Sequence, residues 1–457
     1  MRLICIRNYY MRAICELFAE NMSGEQKPAE QKVSRRRFIG YIAAAAVVAG
    51  AAAAGATYYL ARPPTPTTTA PPAGYVKKWP TPKLDLKKDI PYVCAAFIGL
   101  ANPWDELNRI GTEWYCKDVL GWNLEIVWPE ADVKRENDGV EMAIKKGVDG
   151  IVACPLDSLA NAKIGEMAMN ADIPLVEFGI DMYHSWPLAM YQRDDYDSGK
   201  FCALFAVDEL VRMYGKAEGK ALHIHGYRGS MSDFLRSGGW IDVISQYPDI
   251  QNIEVANSWV ATAEYPKIKA AIAANPDLRV AYEEMGGFHE CVVTGARELG
   301  WPEKKIQDLI CVNCDLFPVN IIGYEEGTQD YCHMMPTGPD MLTECFEQLR
   351  EFWKKGAPDC IPPIGEPFTF EKYLPEMQWD AEVDGFKPLQ FLRDPVWGIA
   401  GSKTTNKQYG HCPVKPAPCG GPETSWVVIP DRIITREDYK ELCIYWNWPI
   451  WGLKAWK

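Results

Sequence analysis

The sequence predicts an α/β protein made of two successive lobes, each a parallel sheet covered by helices. Two observations carry that reading. Residues 131–181 run helix, strand, helix, strand in about 50 residues, the minimal repeat of a sheet whose strands all point one way. From Lys220 onward a second series of strands and helices keeps the same rhythm. Within the first stretch, Lys145-Lys146-Gly147 stops a helix with cations at its negative end and a glycine. The apolar run from Asp149 to Pro155 then fits a central strand buried on both faces. The loop tips at 155–158 and 178–181 lie outside strand carboxyl ends, where such sheets bind ligands.

In chain order, residues 1–33 form an N-terminal cytoplasmic or uncertain segment. Lys32 to Gly40 contains Arg35, Arg36 and Arg37 in the twin-arginine export pattern, followed by an apolar run through Ala61. That run is long enough to cross a bilayer, for which ~20 residues suffice. Residues 34–61 therefore read as a signal or a membrane anchor, and both cleavage near Ala54-Gly55-Ala56 and an uncleaved anchor fit. The Pro/Thr-rich linker of residues 62–88 cannot pack a core. Pro91 to Leu100 is the first strand, and it delivers Asn102, Trp104 and Asp105 into a loop. A helix from Pro103 to Val119 follows, with proline in its opening turn. Further strands are expected at Leu124–Trp128, near Leu188–Tyr191, and at Lys220–Gly226, Ile253–Trp259, Leu278–Tyr282, Leu309–Asp315 and Tyr331–Met335. Arg193-Asp194-Asp195 opens a long helix with acids at its positive end. The helix from Pro339 to Lys355 returns to the first lobe. The first lobe is thus 89–193 with 336–359, and the second 194–335 with 424–445. Residues 360–423 are an insertion without clear periodicity, and 446–457 a Trp-rich tail that covers its own chain.

A net charge of -13 excludes nucleic acid as the main partner. There is no Gly-x-Ser-x-Gly, P-loop or His-Glu-x-x-His pattern, so no enzyme class and no cofactor is indicated. Fifteen cysteines in an exported chain suggest pairing, and Cys412 with Cys419 is the expected disulfide. The Cys311-x-x-Cys314 pair lacks a second such pair and reads as strand core. His223 and His225 point to one face of a strand and read as strand-end hydrogen bonding rather than a metal pair.

The phrase GVDGIVACPLDS, followed by IPLVEFGID, resembles the ribose-binding-like, sugar-binding branch of the type I periplasmic solute-binding proteins. The resemblance spans Pro91 to Lys355, and Ser425 to Asp438 resembles that family's closing phrase. It implies two Rossmann-like lobes joined by a hinge, with the insertion placed before the last strand. By position, Asn102 and Trp104 match the family's Asn and stacking aromatic, while Asp105 replaces a second aromatic. Arg236, in GYRGSMSDFLRSGGW, matches a sugar-facing arginine, Trp259 a stacking aromatic and Asp315 a carboxylate for hydroxyls. Met285 stands where the family has an asparagine, and Thr337 where it has a glutamine. The family's Asp-Arg pair is replaced by Gly179-Ile180, and Asp181 substitutes by a one-residue shift or the register differs. The implied function is capture of a sugar or similar polyhydroxylated molecule between closing lobes and delivery to an ABC permease, with the N-terminal segment at the membrane. A nucleoside or a polyol fits as well. A sensory receptor, or an exported enzyme on the same scaffold, is the alternative.

Overall fold

The computed structural model describes residues 79–100, 102–334, 341–383, 385, 387, 389, 412–419, 421–429, 432–437, 439 and 440. The segment with Arg35 and Arg36, the linker up to residue 78, Thr337 and the tail 446–457 lie outside the described residues. Among the described residues no helix is long and apolar enough to cross a membrane.

The first lobe opens with β1 (Tyr92–Ala96), α1 (Pro103–Glu113), β2 (Asn123–Val127), α2 (Val133–Lys145) and β3 (Gly150–Ala153). It continues through α3 (Ala162–Asn170), β4 (Leu175–Phe178) and β5 (Met190–Gln192). The second lobe begins with α4 (Asp195–Tyr214), β6 (Gly219–Ile224), α5 (Met231–Ile244), β7 (Ile250–Val255) and α6 (Ala261–Ala274). There follow β8 (Leu278–Glu283), α7 (Phe288–Glu298), β9 (Ile310–Asn313), α8 (Pro318–Glu326) and β10 (Tyr331–Met334). Then come α9 (Leu342–Lys355), β11 (Val414–Ala417), β12 (Gly421–Val428) and β13 (Arg432–Thr435).

These strands build two sheets, ordered β11-β12-β5-β4-β3-β1-β2 and β13-β10-β9-β8-β6-β7. Within each, the five core strands are parallel and wind outward from one reversal point, between β1 and β3 in the first sheet and between β6 and β8 in the second. Strands buried on both faces must be apolar throughout, and β1 from Val93 to Ala96 and all of β3 are buried.

Local sequence sets the element ends. Asn102 caps α1 through its side-chain oxygen on the Asp105 N–H, with Pro103 at the first helical position. Asp132 caps α2 in the same way on Arg135, and Gly147, at φ 84°, takes the left-handed turn that follows. The helix expected to run to Val119 is α-helical only to Glu113 and continues as a π-helical turn, Trp114–Val119. This turn buries Trp114 and Tyr115 side by side, and Tyr115 Oη reaches Glu347 Oε1 of α9 at 2.5 Å. Tyr191 Oη likewise meets Gln348 Oε1 at 2.8 Å, so α9 is fastened to the first lobe.

Two expectations are corrected. The closing segment 424–445 does not lie wholly in the second lobe, because β12 pairs parallel to β5 in the first sheet while β13 pairs antiparallel to β10 in the second. The chain therefore crosses between lobes once more, between Val428 and Arg432. The expected disulfide is absent, since Cys412 and Cys419 are both buried free thiols. They flank β11, and four extended residues at ~3.3 Å each already exceed the ~4.4–6.8 Å Cα separation a disulfide spans. Cys412 instead exchanges backbone hydrogen bonds with Phe368, and the Cys419 N–H donates to Asp181 Oδ2 at 2.5 Å.

Candidate functional site

The reversal points of the two sheets face one another, and the chain leaving β1, β4, β8 and β9 converges there. Ile98, Leu100, Asn102, Trp104, Asp105 and Ile180 come from the first lobe, and Ser232, Arg236, Trp259, Met285, Asp315 and Phe317 from the second. Together they line a narrow cavity of about 40 Å³. Of the residues singled out in the sequence, Asn102, Trp104, Asp105, Arg236, Trp259, Met285 and Asp315 meet here. Asp181 does not: it is buried behind the cavity against Cys419, and its neighbour Ile180 takes the cavity position.

Two glycines make room for the two indoles. Gly179, at φ +71°, would place a Cβ 3.0 Å from Trp104 Cη2, and a Cβ on Gly226 would come within 1.9 Å of Trp259 Cη2 and Cζ3. Trp259 Nε1 is buried without a hydrogen-bond partner among the described residues, a donor that the cavity's contents could satisfy. The Arg236 guanidinium sits 5.4 Å from the Trp259 ring centroid, in cation–π range.

Around Arg236 and Asp315 runs a buried lattice of charge. Asp195 Oδ1 accepts from Arg193 Nε and from Arg236 Nε, each at 2.9 Å. Asp315 receives Arg193 Nη2 on one oxygen at 3.2 Å and Arg236 Nη1 on the other at 3.5 Å. Arg193 also donates to the carbonyls of Cys314 and His333, and Arg236 to the carbonyl of Glu284. Burial alone would raise the Asp195 carboxyl, but Arg236 and Arg193 outweigh it and hold it below its ordinary value. The same carboxylates hold the guanidinium of Arg236 firmly charged against its burial. Arg193 is fully buried and was missed in the sequence, where it reads as one more charge at a helix start. The available signal was a cation placed directly after a buried strand.

Asp105 behaves differently. Burial pushes its carboxyl up to about 8, against the opposing hydrogen bonds of Asn102 and of the Gly99 and Leu100 backbone. It is therefore neutral at pH 7, able to donate as well as accept.

The loop tip at 155–158 does not enter the cavity but closes its lip. Asp157 Oδ2 accepts from Tyr227 Oη at 2.9 Å, the Ser158 N–H donates to the Gly229 carbonyl at 3.0 Å, and Ser158 Oγ accepts from the Met231 N–H at 3.0 Å. Each of these links one lobe to the other across the mouth.

Comparison with known proteins places this geometry. A family model described as a periplasmic binding protein domain matches residues 96–353. A xylitol-binding protein of Mycolicibacterium smegmatis is 25% identical over 173 residues, covering 34% of this chain and 47% of that relative. The chain thus spans about half the length of this curated relative. The crystal structure of a galactofuranose binding protein superposes with a TM-score of 0.53 at 17% identity, over 60% of this chain and 91% of that one. A solute-binding protein of Burkholderia graminis in complex with D-arabinose gives 0.52 at 17% identity, over 60% and 92%. These structural likenesses show the type I fold.

Proposed function

The chain belongs to the periplasmic binding protein domain family, and on that premise we propose that it is an exported receptor for a sugar or similar polyhydroxylated small molecule. The observation that carries this is the cavity itself: an indole from each lobe, with Arg236, Asp315, Asn102 and Asp105 between them. Apolar faces suit the C–H surfaces of a sugar ring, and the polar groups suit its hydroxyls. An analogue lacking one hydroxyl would leave a buried partner unpaired, at roughly 1–3 kcal/mol. The ligands named for the relatives, xylitol, galactofuranose and D-arabinose, are of this chemical class. Within this reading the lip contacts of Asp157 and Ser158 hold the closed state, Arg35 and Arg36 direct export, and an ABC permease accepts the cargo.

Thermal melting of the full chain against pentoses, hexoses, polyols and nucleosides tests the proposal. A ligand at a hundred times its dissociation constant should add about 2.7 kcal/mol of stability, with the ligand recovered unchanged after incubation. Chemical conversion of the ligand would favour an enzyme instead, and no shift with any member would remove the sugar class.

Asp105 gives the site a defined pH response. Its folded value of about 8 lies above the ordinary 3.8, so in the closed cavity the neutral acid is the resident form below pH 8, while opening the lobes to water lowers that value toward the ordinary one. Closing over a ligand must therefore take up a proton wherever the open site is ionised, and affinity should fall by up to about tenfold per pH unit as pH rises toward 8. Calorimetric titration should show wild-type affinity declining from about pH 6 to ~8 and levelling above that. Asp105→Asn, which cannot ionise, should show no such slope.

A further inference from the structure

The second lobe contains a cluster that the cavity does not use. His223, near the end of β6, and His225, just beyond it, project to the same face as Glu254, which pairs with His223 in register on β7. One ligand atom from each of the three lies within 4.8 Å of the others, and the two imidazole centroids are 3.7 Å apart. Both histidines are fully buried.

Hydrogen bonding divides each ring into a used and an unused nitrogen. His223 Nε2 meets Glu284 Oε1 at 2.8 Å. His225 Nδ1 meets Ser237 Oγ at 3.0 Å, with Asp233 Oδ1 at 3.4 Å and Glu284 Oε1 at 3.5 Å. His223 Nδ1 and His225 Nε2 are buried with no hydrogen-bond partner among the described residues, although Glu254 Oε2 lies 3.6 Å from the latter. This is the division of labour found at metal centres, where a ligating imidazole gives its far nitrogen to a carboxylate that fixes its tautomer and orientation. A second trio, Glu283, His289 and Cys311, also comes within metal-holding distance. There both nitrogens of His289 already face partners, Glu283 at 3.3 Å and Thr328 at 3.1 Å, so it leaves no free imidazole.

We propose that His223 Nδ1, His225 Nε2 and the Glu254 carboxylate form a binding site for a borderline divalent cation of the zinc type. Two imidazoles and one carboxylate are a donor set that Zn²⁺ accepts, with a fourth position left to water. Charge agrees with the donor set: Asp233, Glu254 and Glu284 surround the two rings, and Arg228 reaches Glu254 at 3.1 Å from the solvent side. A dication would replace the Arg228 contact with Glu254. Glu254 is 47% exposed, so the ion has an entry path that avoids the cavity. The ion would tie β6 to β7, and through Asp233 and Ser237 it would brace α5, the helix that carries Arg236.

The test uses the purified full chain, stripped of metal and titrated with Co²⁺, whose bound form absorbs visibly when four-coordinate, and then with Zn²⁺ in competition. The expected result is one Co²⁺ per chain displaced by one Zn²⁺, with Glu254→Gln lowering Zn²⁺ affinity by at least about tenfold and melting as the metal-free parent does. Because Glu254 is half exposed, that variant keeps its fold; His225→Gln adds a second reading at the buried ligand. Failure of the folded wild type to take up Co²⁺ or Zn²⁺ would overturn the proposal, as would undiminished binding in Glu254→Gln.

Discussion

Replacing Arg193 with alanine should destabilise the protein by about 3–5 kcal/mol, the largest single effect the structure predicts. Its guanidinium is fully buried and is shared by Asp195, Asp315 and the carbonyls of Cys314 and His333. Truncation leaves two carboxylates facing one remaining arginine in a dry interior, and removing one partner of a buried pair costs far more than the pair itself contributes. Lysine will not rescue, because one ammonium cannot reproduce the planar fork that reaches both acids and both carbonyls. The contrast lies nearby: Lys415 reaches Asp194 at 2.7 Å, but the lysine is 45% exposed. Lys415→Ala should therefore cost less than ~1 kcal/mol. Urea-induced unfolding of both variants would read the difference, and Arg193→Ala unfolding at the wild-type midpoint would refute the reading of this lattice.

The second large effect is on ligand affinity. Gly226→Ala adds one methyl group, but its Cβ would lie 1.9 Å from two ring carbons of Trp259, so the indole must leave its place. The substitution leaves Asn102, Asp105 and Asp315 chemically unchanged. It also leaves Arg236, though without the ring 5.4 Å away over which its charge sits. Affinity should fall about 10- to 100-fold, since each tenfold step is ~1.4 kcal/mol and the lost contact is an aromatic face with its cation–π support. Overpacking at this loop should cost about 1–3 kcal/mol of stability. Melting without ligand separates that loss from the loss of binding, and unchanged affinity would show that the Trp259 ring is not a ligand surface.

These two residues mark the limits of what the sequence discloses. The alternation of apolar runs with capped helices, Asn102-Pro103 at one start and Lys146-Gly147 at one stop, made the two α/β lobes legible, because those signals are local. Most cavity residues were reached through position in a resemblance, each in the loop or helix that follows a strand's carboxyl end. Arg193 was not, because its meaning depends on Asp315, 122 residues away; in sequence it merges with the acids that open α4. Cys412 and Cys419 misled for the opposite reason: closeness along the chain suggested a pair, whereas the extended residues of β11 hold them apart. The closing segment was assigned to one lobe because it reads as a single phrase, and only strand pairing shows β12 and β13 in different sheets. Asp181 looked like a ligand group by a shift of register, yet its carboxylate serves the Cys419 backbone.

The proposed function requires that the cleft between the lobes, and no other surface, hold the sugar-like ligand. Calorimetric titration of the full chain with the ligand that most raises its melting temperature tests this most directly, run beside Trp104→Ala and Trp259→Ala. The claim predicts one site per chain and at least about tenfold weaker binding in each variant, one indole having been removed from either lobe. A folded wild type that binds no sugar, polyol or nucleoside, or a ligand held equally well by both variants, would contradict it.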